Sequence, residues 1–197
     1  MTSKYVIAVA LAAVSTSFAG NIPVASVTAS STFGTYDVNH LIDGSGMSGG
    51  LADDNFHNMW MDSGGSTPTL VFDLGAPYTL GSTSIWNYNA DCCGLDRSVQ
   101  SLNILVSTDD VTFTPVGSFS GLPEGTGNPI PADVLNLCGA IGRWVEFDIT
   151  SNYGADYTGL SEVEFSTDTG QVPEPASGLL VLAGVAVGFI YRRRMAA

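Results

Sequence analysis

The feature that most constrains the fold is a succession of short strand-like segments with no helical period between them. RWVEFDI at 143–149 and SLNILVS at 101–107 alternate apolar and polar side chains. In a strand this period of two places the apolar side chains on one face. Similar runs, rich in Val, Ile, Phe, Trp and Thr, lie between Gly, Pro, Asp and Asn at 23–30, 69–74, 83–89, 113–119 and 160–166. Seven or eight such strands predict an all-β fold, a sandwich or jelly roll.

The first nineteen residues have the layout of a secretory signal peptide. Lys4 precedes an apolar run from Tyr5 to Val14, and Ser17 and Ala19 are small residues at positions −3 and −1 of a cut after Ala19. The apolar run is too short for a stable membrane span. A buried N-terminal helix is the alternative, but it would leave the cleavage pattern unexplained. We therefore expect residues 1–19 to be removed on export.

The charge distribution excludes one class of partner. Between residues 20 and 172 only Arg97 and Arg143 oppose eighteen acidic residues, a formal charge of −16. Such a surface repels phosphate backbones, so we expect no nucleic-acid partner. The acidic side chains also supply the oxygen ligands that a hard cation such as Ca²⁺ prefers.

Three cysteines, Cys92, Cys93 and Cys138, lie in this segment. Export permits disulfide formation. Adjacent cysteines rarely bridge each other, so we expect Cys138 to pair with Cys92 or with Cys93, leaving one thiol over. A metal site on the three cysteines is the alternative, although no His lies nearby in the sequence.

The C-terminal tail has three parts. Pro173, Glu174 and Pro175 precede sixteen uncharged residues, 176–191, and then Arg192, Arg193 and Arg194. As a helix, the uncharged stretch would be ~24 Å long, short of the ~30 Å hydrocarbon layer. The arginines favour the cytoplasmic side, which leaves the rest of the chain outside. The tail therefore predicts a membrane-held segment; a permanent anchor and a temporary one are the two alternatives.

The tail resembles the PEP-CTERM sorting signal of Gram-negative bacteria that make exopolysaccharide. The resemblance implies that an exosortase reads the tail in the inner membrane and cleaves near Pro-Glu-Pro. The protein would then be found in the cell envelope or the extracellular matrix.

Five stretches of the middle segment resemble discoidin domains, also called coagulation factor five/eight type C domains. In order they are NHLIDGSG…MW at 39–60, LVFDLG at 70–75, IWNYN at 85–89, DRSVQSLNILVSTDDVTFTPVG at 96–117 and LSEVEF at 160–165. The resemblance implies a galactose-binding-like jelly roll over 24–167. The remaining expected boundaries are a linker at 168–175, a transmembrane segment at 176–191 and a basic cytoplasmic tail at 192–197.

In discoidin folds, loops at one end of the barrel form a shallow ligand site. The matching loops here are 32–37, 87–97 and 152–158. Aromatic rings stack on sugar rings, while polar side chains reach the hydroxyls. The loops lack the long aliphatic tips and the clustered basic residues of lipid-binding members, which favours neutral glycans. The resemblance implies stacking by Phe33, Tyr36, Tyr153 and Tyr157, and hydrogen bonding by Asn89, Asp91 and Arg97.

A structural Ca²⁺ is also implied by the resemblance. In sugar-binding discoidin-like modules, an Asp matching Asp43 and a late Glu matching Glu162 join backbone carbonyls around the ion, with Ser45 as a further candidate ligand. The alternative is that Asp43 only stabilises its own turn and Glu162 is a solvated strand residue.

Paired carboxylates at 53–54, 109–110 and 146/148 raise the possibility of a glycosidase. With eighteen acids such pairs arise by chance, and the sequence holds no nucleophile elbow, phosphate loop or HExxH pattern. We therefore expect a non-enzymatic carbohydrate-binding module that binds an extracellular glycan or exopolysaccharide. The alternative is a structural matrix or adhesion protein that binds other proteins and has no small-sugar site.

Overall fold

The computed structural model describes residues 20–65, 67–92 and 94–168. The predicted signal peptide, the Pro-Glu-Pro motif, the transmembrane segment, the basic tail and Cys93 lie outside the described residues. Within the described ranges, none of the helices has the length and apolar character needed to cross a membrane.

The described chain is a β-sandwich with three short 3-10 helices. The helices are Val38–Leu41, Phe56–Asn58 and Leu95–Arg97. The strands are β1 (Asn21–Ile22), β2 (Ser26–Ala29), β3 (Met47–Ser48), β4 (Leu51–Ala52), β5 (Trp60–Met61), β6 (Thr69–Asn87), β7 (Val99–Ser107), β8 (Thr114–Ser120), β9 (Ile130–Pro131), β10 (Asp133–Asn152) and β11 (Gly159–Thr167).

Two long antiparallel strands, β6 and β10, run through both layers. The first half of β6 pairs with β2 and with the second half of β10, which continues to β7 and β8. The second half of β6 pairs with β11, which pairs with β1. The register between β6 and β10 shifts twice, on either side of residues 140–142, where the pair passes from one layer to the other.

The sequence predicted separate strands at 69–74 and 83–89, but the structure joins them into β6. Glycines make this passage possible. Gly75 has a positive φ of 76°, and a Cβ on Gly81 would lie 2.6 Å from the carbonyl oxygen of Thr167. Backbone hydrogen bonding therefore continues through a segment that reads as a turn.

The core lies between the layers and confirms the alternating pattern. Val145, Phe147 and Ile149 of β10 are buried, and so are Leu102, Ile104 and Val106 of β7. Phe72, Phe147 and Phe165 meet across the sandwich, with the Phe72 ring centre 5.1 Å from that of Phe147 and 5.3 Å from that of Phe165. Aromatic pairs at this spacing stabilise a core beyond their buried area.

Residues 120–136 are rich in Gly and Pro, which predicts a surface connection over the whole stretch, but only part of it is a loop. Ile130 and Pro131 pair with β4, and β10 already begins at Asp133. The prediction is therefore wrong for its last residues, because its prolines precede the strand rather than interrupt it.

The sandwich has two distinct ends. At one end of the sandwich β6 and β10 finish and β7 and β11 begin; we call this the loop end. Gly20 lies at the opposite end, where its backbone N–H donates to Oγ1 of Thr167 at 3.1 Å. Both termini of the described domain therefore leave the sandwich away from the loop end.

Candidate functional site

Three predicted aromatic residues come together at the loop end. The Phe33 ring centre lies 5.3 Å from that of Tyr157, in edge-on contact, and 6.2 Å from that of Tyr36. Phe33 is 42% exposed, and the two tyrosines are half-buried. The loops at 32–37 and 152–158, far apart in sequence, thus form one aromatic surface.

Hydrogen bonds below the surface fix the two loops. The backbone N–H of Phe33 donates to the carbonyl of Met61 at 2.9 Å. The N–H of Thr158 donates to Oδ1 of the buried Asp62 at 2.6 Å. Asn152 ties its own loop together by donating to the carbonyls of Ala155 and Tyr157, both at 2.9 Å. The aromatic rings are therefore carried by a rigid base.

Arg97 joins the third predicted loop to this surface. Its guanidinium carbon lies 5.6 Å from the Tyr157 ring centre and 6.0 Å from that of the buried Tyr88. Its Nη1 donates to the Tyr88 hydroxyl at 3.3 Å. These contacts orient a planar set of donors beside the aromatic rings. We define the Arg97 surface as Phe33, Tyr36, Arg97 and Tyr157.

Asn89 is placed beneath the surface rather than on it. Its side chain is fully buried and accepts hydrogen bonds from the backbone N–H groups of Thr126 and Gly127, at 2.8 and 3.0 Å. It also donates to the carbonyls of Asp53 and Asn128. Because all these groups are used internally, Asn89 holds two loops together and is not available to a ligand, which corrects its predicted role.

The other two predicted contacts lie at the margin of the loop end. The Tyr153 hydroxyl donates to the carbonyl of Leu122 at 2.6 Å, so it anchors the 120–129 connection and leaves only the half-buried ring. Asp91 is exposed, and its backbone packs against Gly127. Ligand contact by Tyr153 and Asp91 stays a prediction.

Phe56 extends the aromatic surface, and the sequence reasoning did not select it. Its ring centre lies 5.9 Å from that of Tyr36 and 4.0 Å from that of the exposed His57. The length and glycine content of the 44–58 loop indicate a functional or mobile segment, but nothing in its pattern indicates that Phe56 contacts Tyr36.

The predicted calcium ligands Asp43 and Glu162 lie close together. Glu162 is 3% exposed and accepts from the backbone N–H of Gly44 at 3.1 Å. Burial, with the nearby charges of Asp43 and Glu164, raises the pKa of Glu162 to about 8. Burial acts to raise the pKa of Asp43 too, but hydrogen bonds with Ser45 and His40 outweigh it and hold that pKa below its usual value. The surroundings therefore favour an ionised Asp43 and, up to about pH 8, a protonated Glu162.

The two carboxylates of Asp43 and Glu162 could hold a hard cation only if backbone oxygens also served as ligands. The described residues contain no cluster of three His, Cys, Asp or Glu side chains that could hold a metal. A cavity of about 240 Å³ nevertheless opens beside both carboxylates. Besides Asp43 and Glu162 it is lined by Asn21, Ile22, Pro23, Val24, Ile42, Gly44, Val163 and Glu164, so carbonyl and carboxylate oxygens are both at hand.

Ser45 stabilises the turn that begins at Asp43 and does not line the cavity. Its N–H donates to Oδ1 of Asp43 at 2.8 Å, which is the turn predicted as the alternative reading. Its hydroxyl lies 3.2 Å from Nδ1 of His40 and 3.5 Å from the Asn58 carbonyl. Binding of Ca²⁺ by Asp43, Ser45 and Glu162 stays a prediction.

In two of the acid pairs one carboxyl group has a pKa that its local surroundings shift. Asp109 accepts from the N–H groups of Thr112 and Val111 and from the Ser107 hydroxyl, and these bonds lower its pKa to about 2. Glu146 lies on the outer face of β10, where partial burial and then the charge of Asp148 raise its pKa.

The Cys92–Cys138 disulfide, one of the two predicted pairings, is absent from the structure, and Cys138 is an exposed thiol. The register explains this. Cys138 lies in β10 between the residues that pair with Ser82 and Leu80, whereas Cys92 follows the end of β6 at Asn87. Along β6, the position level with Cys138 and the end of the strand that leads to Cys92 are five or more residues apart, which is ~16 Å. A disulfide joins residues whose Cα atoms are no more than ~7 Å apart.

Several solved structures share the fold. A family 32 carbohydrate-binding module of AlyQ, in complex with 4,5-unsaturated mannuronic acid, is 20% identical with a TM-score of 0.56, covering 74% of this chain and 97% of that one. The family 32 module of NanJ from Clostridium perfringens, in complex with galactose, is 15% identical with a TM-score of 0.57, covering 76% and 99%. A fucolectin from striped bass (Morone saxatilis) serum is 21% identical with a TM-score of 0.56, covering 74% and 47%.

Two family profiles match the sequence, whereas no curated protein does. The PEP-CTERM protein-sorting motif matches residues 171–194, which confirms the resemblance of the tail to this sorting signal. The F5/8 type C domain matches residues 26–163, in agreement with the jelly-roll topology and the solved structures. The chain therefore belongs to the F5/8 type C, or discoidin, domain family.

Proposed function

We propose that this protein is an exported, non-enzymatic carbohydrate-binding module that binds neutral sugar units through the Arg97 surface. The observation that carries the proposal is the convergence of Phe33, Tyr157 and Arg97 from three separate loops. Two of the similar structures, the modules of AlyQ and NanJ, are complexes with a sugar, which supports carbohydrate binding by this fold; the NanJ ligand, galactose, is neutral, whereas the AlyQ ligand is a sugar acid.

The chemistry of the surface suits a sugar ring. An aromatic ring stacks on the apolar C–H face of a pyranose, and the guanidinium donates to hydroxyl oxygens at its edge. The surrounding domain carries a formal charge of −16, which disfavours anionic polymers and leaves neutral glycans as the preferred class.

The tail specifies how the module is delivered. The PEP-CTERM motif supports exosortase processing, transit through the inner membrane and release to the cell envelope or exopolysaccharide matrix of a Gram-negative bacterium.

We further propose that Asp43 and Glu162 hold a structural Ca²⁺ together with backbone carbonyls. The ion would supply the positive charge that two neighbouring carboxylates lack. Its ligands would tie the 43–46 turn to β11, so its effect would appear in stability first.

Retention on the producing organism's exopolysaccharide, with and without EDTA, tests the proposed function. Tyr157→Ala should weaken retention about tenfold, since stacking on an aromatic side chain is worth about 1–3 kcal/mol for a nucleic-acid base and we expect a similar value for a sugar ring. Tyr157→Phe keeps the ring and should retain most of the binding. Retention unchanged in Tyr157→Ala, or no binding of the folded wild type to any saccharide of a glycan array, would contradict the proposal and favour a protein-binding matrix role.

A further inference from the structure

A second aromatic residue of interest, Trp144, lies on the outer face of the layer formed by β2, β6, β10 and β7. The register places Ser26, Asp73 and Trp144 in one row across β2, β6 and β10. The next outward row holds Thr28, Val71 and Glu146. Since Val27, Phe72 and Val145 between these rows are buried, both rows face solvent.

Trp144 is held in place by an ion pair. The guanidinium carbon of Arg143 lies 4.4 Å from the Trp144 ring centre. Nε and Nη2 of Arg143 donate to the two carboxylate oxygens of Asp73 at 2.7 and 2.8 Å. A two-point bond of this kind fixes both partners, so the indole is supported on one side by an ordered cation.

A shallow cavity of about 300 Å³ opens beside the indole. Trp144 and Val71 supply apolar surface, and polar groups come from both sides of the cavity. The polar lining consists of the Ser26 and Thr28 hydroxyls and the Asp73 and Asp110 carboxylates. An apolar ring with hydroxyls and acceptors around it is suited to a hydroxyl-rich ring compound.

The charge around this cavity limits which molecules could bind in it. Arg143 neutralises Asp73, so the net charge of the lining is that of Asp110, and an anionic polymer would be repelled. A second copy of the domain, with a formal charge of −16 between residues 20 and 172, would be repelled as well. A neutral saccharide meets neither obstacle.

We propose that Trp144, with Ser26, Thr28, Asp73 and Asp110, forms a second saccharide site for a neutral pyranose unit. Asp110 belongs to the β7–β8 turn, at the end of the sandwich away from the Arg97 surface, so the two sites do not overlap. One chain could then bind two segments of polysaccharide and cross-link them. The choice of a saccharide rests on the proposed function, whereas the location rests on the Trp144 contacts alone.

The test compares the exported wild-type protein with Trp144→Ala, Tyr157→Ala and the double variant on the producing organism's exopolysaccharide. We expect each single variant to bind at least tenfold more weakly and the double variant not to bind. Trp144→Phe keeps an aromatic platform and should retain most of the binding. Thermal melting checks that each variant is folded.

The outcomes separate the two proposals. Loss in Tyr157→Ala with no change in Trp144→Ala would overturn the second site and leave the proposed function intact. Loss only in Trp144→Ala would leave the sheet site as the binding site and overturn the role of the Arg97 surface. A folded wild type that is not retained at all would overturn both.

Tryptophan fluorescence provides a second readout if Trp144→Ala does not fold. Of the three tryptophans, Trp60 and Trp86 are buried, so an aqueous quencher such as iodide reaches Trp144 first. In Tyr157→Ala, added exopolysaccharide should protect the fluorescence from iodide. Quenching that is unchanged by the polymer would overturn the second site.

Discussion

The guanidinium carbon of Arg97 lies 5.6 Å from the Tyr157 ring centre, and its Nη1 donates to the Tyr88 hydroxyl at 3.3 Å. This geometry needs a planar cation with several donors, which lysine does not provide. We therefore expect Arg97→Lys to weaken saccharide binding about tenfold or more while changing the free energy of unfolding by no more than ~1 kcal/mol. Isothermal titration with the bound glycan and urea unfolding measure the two quantities.

Tyr88→Phe is the matched control for the Arg97 prediction. It removes the hydroxyl that accepts from Arg97 but keeps the buried ring. Weaker binding in Tyr88→Phe, smaller than in Arg97→Lys, would indicate that the hydroxyl orients the guanidinium. Equal binding in Arg97→Lys and wild type would show that Arg97 only packs against its neighbours.

The buried Glu162 gives the domain a specific pH dependence. Its pKa is about 8 in the folded state, against an ordinary value of 4.5. The folded state therefore binds this proton more tightly than the unfolded state, so the stability that Glu162 contributes is fully present below about pH 4.5 and is lost as the pH rises towards 8. We expect the free energy of unfolding in EDTA to fall by roughly 4–5 kcal/mol over this range, since one pKa unit corresponds to about 1.4 kcal/mol.

Calcium should oppose this loss, because the ion favours the ionised carboxylate. In urea unfolding at pH 8, Ca²⁺ should stabilise the wild type and have no effect on Glu162→Gln, which should also lose the pH dependence. Glu164→Gln changes a neighbouring, more exposed acid and serves as the control. Equal stabilisation of wild type and Glu162→Gln would exclude Glu162 as a ligand.

Asn89 should matter for folding more than for binding. Asn89→Ala would leave the part-buried N–H groups of Thr126 and Gly127 without their acceptor, and the carbonyls of Asp53 and Asn128 without a donor. Each unsatisfied buried group costs about 1–3 kcal/mol, so we expect a loss of about 2–4 kcal/mol in the free energy of unfolding. The exposed Asp91→Ala should stay within about 0.5 kcal/mol. A loss of glycan affinity in Asn89→Ala at unchanged stability would restore Asn89 as a ligand-binding residue.

The sequence predicts this fold well wherever the pattern is local. The alternation of Val145, Phe147 and Ile149 directly reports which face of β10 is buried, and the order of the motifs indicated the family. Burial of Asn89 could not be predicted, because its partners are backbone groups distant in sequence. Convergence of Phe33 with Tyr157 was expected only through the resemblance, since no local pattern encodes a contact between two loops.

The continuous course of β6 is the feature that local patterns predicted wrongly, and it can be tested at Gly81. A Cβ at this position would lie 2.6 Å from the Thr167 carbonyl oxygen and 2.8 Å from the backbone of Asp168. Because both obstacles are backbone atoms, β11 must shift, and we expect Gly81→Ala to lower the free energy of unfolding by about 1–3 kcal/mol. Gly20→Ala is the matched control, since its Cβ would meet only Oγ1 of Thr167 at 3.6 Å. Equal urea midpoints for the two variants would mean that β6 and β11 do not approach as closely as the structure places them.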